Sequence, residues 1–148
     1  MVHALEEIRH LLKPTGRLID IHPVAIPSPL EVHQGRKIIL AGNLSVRQWC
    51  VDFQEADKAL TTIVERGLFA VEREDVFDSL THYGSIAELR KSLKESIDKF
   101  ARDVQSAVEA VPDIEALTGR AEELMPMKAK DTELIIRERT HISRLAPI

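Results

Sequence analysis

Glu6-Glu7-Ile8-Arg9-His10-Leu11-Leu12-Lys13-Pro14-Thr15-Gly16-Arg17-Leu18-Ile19-Asp20-Ile21-His22 changes its hydrophobic period partway along, and the change decides how the rest is read. Leu5, Ile8 and Leu12 recur at three- and four-residue spacing, which places them on one stripe of a short helix. The helix must end by Lys13, because the residue before a proline is pushed out of the helical region and Gly16 follows Pro14 closely. Arg17 to His22 then has the apolar density and length of a strand, stopped by Pro23, Pro27 and Pro29. Between them, Gly16 permits the tight reversal, with Thr15-Gly16 needing one residue of positive φ.

Further along, Leu30 to His33 and Lys37 to Leu40 flank Gln34-Gly35 and predict a hairpin of undetermined register. Asp52 with Glu55 three residues on reads as the start of a second helix, carried by Ala56, Leu60 and Ile63 and closed by Gly67 in a left-handed cap. Leu68 to Leu80 contains Phe69, Val71, Val76 and Phe77, interrupted by Glu72-Arg73-Glu74-Asp75. It is one long exposed strand or two short ones around a turn. Ser85-Ile86-Ala87-Glu88 is a capping box, after which Leu89, Leu93, Ile97, Phe100, Val104, Ala107 and Val111 step by three or four until Pro112. A helix over 85–111 would be roughly 40 Å long, so it bends or protrudes. Ile114, Leu117, Ala121 and Leu124 predict another helix before Pro126, and Leu134, Ile136 and Ile142 alternate with Arg137, Arg139 and His141 in a terminal strand.

The chain has 148 residues, 44% hydrophobic and 30% charged, with a formal net charge of -4. That is the composition of one ordinary globular domain, and no apolar run approaches a membrane span. The acidic balance argues against a general nucleic-acid footprint. Lys128, Lys130, Arg137, Arg139 and Arg144 are interleaved with Asp131, Glu133 and Glu138 and read as a solvated face. The start, Met1-Val2-His3-Ala4 with Glu6 and Glu7, has no secretory pattern, so the cytoplasm is expected. Cys50, the single cysteine, cannot form an internal disulfide and reads as a small core residue beside Trp49.

The helix, Leu-Lys-Pro-x-Gly turn and strand over residues 4–22 resemble the segment leading into the fifth strand of class I S-adenosylmethionine-dependent methyltransferases. Thr15 stands where that family usually has its first glycine. The remainder resembles the family's C-terminal half in the order of its elements, a helix followed by strands ending in a long antiparallel pair. The resemblance implies an α/β or α+β domain, a partial methyltransferase-like sheet with antiparallel strands and packed helices, including the long helix near 85–111. Residues 1–148 are thus expected to be a single truncated domain. The family's glycine-rich loop and ribose-binding acidic residue have no positions here, so the resemblance supplies no cofactor-binding residue.

Gly-x-Gly-x-x-Gly is absent, the six glycines being dispersed. His3 and His10 share a helix face but stand about 10 Å apart along its axis, too far for one ion to bridge. His33, His82 and His141 lie in separate elements without a carboxylate or cysteine at ligand spacing, so no metal site is assigned. Asp20 and His22 alternate onto one side of their strand at its carboxyl end, where open α/β sheets place ligand sites, and are the candidates for catalysis. The plainer reading, preferred here, is that Asp20 bonds a neighbouring loop and His22 begins the turn before Pro23. Glu72, Glu74 and Asp75 read as charges guarding an exposed strand rather than as a cation site.

The leading expectation for function is a methyltransferase-like remnant or pseudoenzyme acting through protein association, with no cofactor and no activity of its own. A second is a subunit that completes a methyltransferase with another chain, S-adenosylmethionine being bound only in that case. A third is an unrelated small-ligand binding module. A homodimer or partner complex is expected, because the strand at Arg17 to His22 has lost the neighbour that earlier strands would supply. The stretch from Leu30 to Leu40 offers the alternative of folding back to seal that edge. Neither nucleic acid nor a membrane is expected as partner.

Overall fold

The computed structural model describes residues 1–44, 47–103, 113–125 and 132–148, the side chains of 47–50 and 100–103 excepted. The elements are α1 (Val2–Leu11), β1 (Leu18–Pro23), β2 (Ser28–Gln34), β3 (Lys37–Leu44), α2 (Arg47–Glu65), β4 (Phe69–Tyr83), α3 (Ile86–Asp103), α4 (Ile114–Leu124) and β5 (Thr132–Pro147). The strand registers for β1 with β5, β2 with β3 and β2 with β5 are all antiparallel. The chain is therefore α+β rather than doubly wound α/β. No described helix is long and apolar enough to cross a membrane. The chain divides into two compact units: Met1–Ala25 with Trp49–Asp78 and Arg139–Ile148, and Ile26–Gln48 with Ser79–Glu138.

In the first unit α1 and β1 fall where the opening motif predicts. The turn between them is made differently from the expectation. Gly16 N–H donates to the Lys13 carbonyl at 2.8 Å, and the positive-φ glycines are Gly35 and Gly67, not Gly16. What restricts Gly16 is crowding, since a Cβ there would lie 3.0 Å from the Lys13 carbonyl oxygen and 3.1 Å from Leu12 Cδ2. Helix α2 starts at Arg47, so Asp52 sits inside it and is not its cap. An exposed aspartate within a helix costs about half a kcal/mol relative to alanine, which a helix with a buried stripe tolerates. Its far end is as read: Gly67, at φ 70°, donates to the Val64 carbonyl while Leu68 N–H reaches the Ile63 carbonyl. That is the paired hydrogen-bond pattern of a left-handed helix stop, completed by Leu68 packing back onto the Ile63 cluster.

Leu5 of α1, Ala59, Leu60 and Ile63 of α2, Phe69 of β4 and Leu145 of β5 form this unit's core. β1 pairs with β5 from Leu18↔Leu145 to Pro23↔Thr140. With a period of two, Leu18, Asp20 and His22 share one face with Leu145, Ser143 and His141, the face carrying the core. Ile19 and Ile21 point the other way and remain 50% and 58% exposed. β4 also pairs with β5, and it is one continuous strand rather than two. Glu72 binds both Arg17 and Arg144, at 2.7 and 2.8 Å, so the charged interruption is held by arginines from β5 and the turn before β1.

In the second unit β2 and β3 form the predicted hairpin, with Gln34 opposite Lys37 and Gly35 at φ 57° opening a two-residue turn. The ladder shifts register between Leu30 and Glu31, a bulge the hydrophobic pattern did not foretell. β2 also pairs with the first half of β5, from Leu30↔Ile136 to Gln34↔Thr132. Leu134, Ile135 and Ile136 are all buried, so this half of β5 is covered on both faces instead of alternating as expected. At the start of α3, Ser85 Oγ accepts from Glu88 N–H at 3.1 Å, while the Glu88 carboxylate accepts from Gly84 N–H at 2.8 Å, one residue earlier than in the expected capping box. Leu89, Leu93 and Ile97 are buried as a stripe. The Phe100 side chain and the predicted continuation over 104–111 lie outside the described residues, as do Lys128, Lys130 and Asp131. Asp113 caps α4 by accepting from Ala116 N–H at 2.8 Å, and Arg90 reaches Glu115 and Thr118 to tie α3 to α4.

Candidate functional site

β1 ends in a stretch whose inward side chains turn from apolar to polar. Leu18 packs against the core, and Asp20 and His22 follow on the same face. The antiparallel register sets Ser143 opposite Asp20 and His141 opposite His22. Four polar side chains therefore form a square on two adjacent strands, where cross-strand partners lie about 5 Å apart. Helix α2 supplies a fifth, Asp57.

His22 is 8% exposed and is held from both sides. Its Nδ1 lies 2.5 Å from Asp20 Oδ2 and its Nε2 lies 2.8 Å from Asp57 Oδ1. With a carboxylate on each ring nitrogen, only the imidazolium donates both hydrogen bonds. Burial pulls the His22 pKa down, but the hydrogen bonds and charges of Asp57 and Asp20 outweigh it and raise the pKa above its ordinary value. The His141 ring meets that of His22 edge-on, with centroids 5.4 Å apart. Among the described residues, His141 Nδ1 and Ser143 Oγ are buried without a hydrogen-bond partner. A cavity of about 430 Å³ adjoins them, lined by Asp57, His141 and Ser143 together with Leu60, Val64 and Leu145.

The structure thus joins the two candidates read from the sequence, and Asp20 bonds His22 itself rather than a neighbouring loop. His22 is enclosed between strand and helix instead of merely opening a turn. It also joins His141, which the sequence left in a separate element. Asp57 and Ser143 were missed. The available signal for Asp57 was its position three and seven residues ahead of Leu60 and Val64, an acid on the side of α2 that carries apolar residues. Ser143 had no such signal.

The other polar candidates are distributed differently. His33 Nε2 lies 2.6 Å from Glu31 Oε2, and Arg137 donates to both Glu31 oxygens at 2.9 and 3.1 Å, so Arg137 belongs to a half-buried ion cluster rather than a wholly solvated face. Hydrogen bonding from Arg137 lowers the Glu31 pKa against the opposing effect of burial, with His33 adding to the lowering. Hydrogen bonding from Arg17 does the same for Glu72. Asp75 lies 3.8 Å from Arg73. His82 pairs with Glu133 on the surface and His3 with Glu6, and the Cys50 side chain lies outside the described residues.

No protein-family model, curated protein or solved structure matches the chain. Geometry and chemistry carry the functional reading.

Proposed function

We propose that this chain is a methyltransferase-like module that acts through protein association, by pairing the free edge of β1 with the same edge of a second copy. The observation that carries the reading is the state of β1. Among the described strands it pairs with β5 alone, and its outward residues Ile19 and Ile21 are 50% and 58% exposed. The predicted self-sealing by Leu30 to Leu40 is not what those residues do in their own unit, where they form a hairpin that joins β5. An open edge bearing exposed isoleucines is a template for another strand, and an antiparallel β1–β1 contact satisfies both copies by the same two-fold operation.

Light scattering on size-exclusion peaks across a hundredfold dilution tests this, with a dimer expected at the upper concentrations. Ile21→Lys, at an exposed position, is expected to leave the circular dichroism unchanged and weaken the dimer by about tenfold or more. A monomer at every concentration overturns the reading.

A second reading, a subunit that completes a methyltransferase with another polypeptide, is favoured by the cluster of Asp20, His22, Asp57 and His141 beside a cavity of about 430 Å³. Both readings predict that the purified chain alone does not bind S-adenosylmethionine tightly, because its six glycines are dispersed and form no loop to cradle the cofactor. Calorimetry showing low-micromolar binding by the isolated chain contradicts them both.

A further inference from the structure

We propose that Asp20, His22 and His141 hold a divalent transition-metal ion, with Asp57 fixing the orientation of His22 from α2. Each of the three offers a ligand atom, and these atoms lie within 4.8 Å of one another. A tetrahedral ion with bonds of about 2.0–2.1 Å needs its donors about 3.3 Å apart, so binding requires the donors, now within 4.8 Å of one another, to draw closer. The backbone already provides the alignment, because His22 and His141 are direct cross-strand partners.

Three independent features point to an ion. His141 Nδ1 is buried and has no hydrogen-bond partner among the described residues, which is costly for an imidazole nitrogen unless something else binds it. Ser143, which lines the same cavity as His141, is 2% exposed, and its Oγ likewise has no hydrogen-bond partner among the described residues. The charge balance agrees: two carboxylates around one imidazolium leave one negative charge in a half-buried site, whereas two carboxylates, two neutral imidazoles and a divalent cation sum to zero.

The donor set selects the class of ion. Two imidazoles and a carboxylate suit zinc or ferrous iron, whereas calcium and magnesium take oxygen ligands. If His22 binds through the nitrogen now facing Asp20, its other nitrogen stays on Asp57, the carboxylate–histidine–metal arrangement that orients a ligand and raises its basicity. Three protein ligands leave a fourth coordination position for water or a substrate group.

The test uses the full chain, stripped with chelator and titrated with zinc ion alone. Calorimetry is expected to give saturable one-to-one binding. The imidazole NMR signals of His22 and His141 should shift on binding, while those of His3, His10, His33 and His82 stay in place; this readout needs no substitution. His141→Ala is expected to weaken binding by about a hundredfold or more, and Asp57→Asn by about tenfold to a hundredfold. The loss of saturable binding in the native chain, or shifts confined to the other four histidines, overturns the proposal. So does affinity unchanged in a His141→Ala protein that retains the native circular dichroism.

Discussion

Truncating Phe69 to alanine is expected to lower the free energy of unfolding by about 3–5 kcal/mol, the range for removing a large aromatic side chain from a core that cannot collapse around the gap. Phe69 has no exposed surface and sits among Leu5, Ala59, Leu60, Ile63 and Leu145, so one aromatic ring joins two helices and a strand. The same substitution eight residues on supplies the control. Phe77 belongs to the same strand but is 44% exposed, and Phe77→Ala is expected to cost about 1 kcal/mol or less. Urea unfolding of both variants, with the slope compared to the unsubstituted chain, decides the matter. Equal losses at the two positions would mean that the first unit's core is not built around Phe69.

The sequence did not separate these two phenylalanines, which it placed together in one exposed stretch; it was legible where local chemistry decides. A proline or a left-handed glycine acts on its own neighbours, so the end of α1 before Pro14, the end of α2 before Gly67 and the turn at Gly35 were legible from local rules. The start of α2 was not. Asp52 and Glu55 have the spacing of a capping pair, but caps form only where a helix begins, and this helix had begun at Arg47. β4 defeated the reading for another reason. A strand is recognised by burial on alternate positions, and in β4 only Phe69 is buried. Its continuity rests on pairing with β5 and on Arg17 and Arg144 clasping Glu72, none of which a local window contains.

The candidate site was half legible for the same cause. Asp20 and His22 are two residues apart on one strand, so their shared face follows from the strand period alone. Their partners come from α2 and from the far end of the chain. Whether His141 meets His22 or misses it depends on the β1–β5 register, and a slip of one residue would turn it to the opposite face.

The Glu31, His33 and Arg137 cluster gives the second large effect and a distinctive pH dependence. Arg137→Leu is expected to cost about 2 kcal/mol at neutral pH, because it leaves the Glu31 carboxylate buried without its principal partner; the exposure of the guanidinium keeps the loss below that of a fully buried pair. The sign of the pH effect follows from the direction of the shift. Hydrogen bonding from Arg137 holds the folded Glu31 pKa below its ordinary value of 4.5. Its contribution to stability is therefore fully present above that value and is lost as the pH falls through the lower, folded one. Without Arg137, burial opposes only the smaller lowering by His33, and that contribution shrinks. The difference in unfolding free energy between the native chain and Arg137→Leu should accordingly be largest at pH 6 to 7 and shrink toward pH 3. His33→Gln, which keeps a donor beside Glu31 without a charge, should reduce the acid dependence less than Arg137→Leu does, since hydrogen bonding from Arg137 is the larger cause of the shift. A difference between native and Arg137→Leu that stayed constant from neutral pH to acid would assign the loss to packing of the arginine stem instead of to the ion pair.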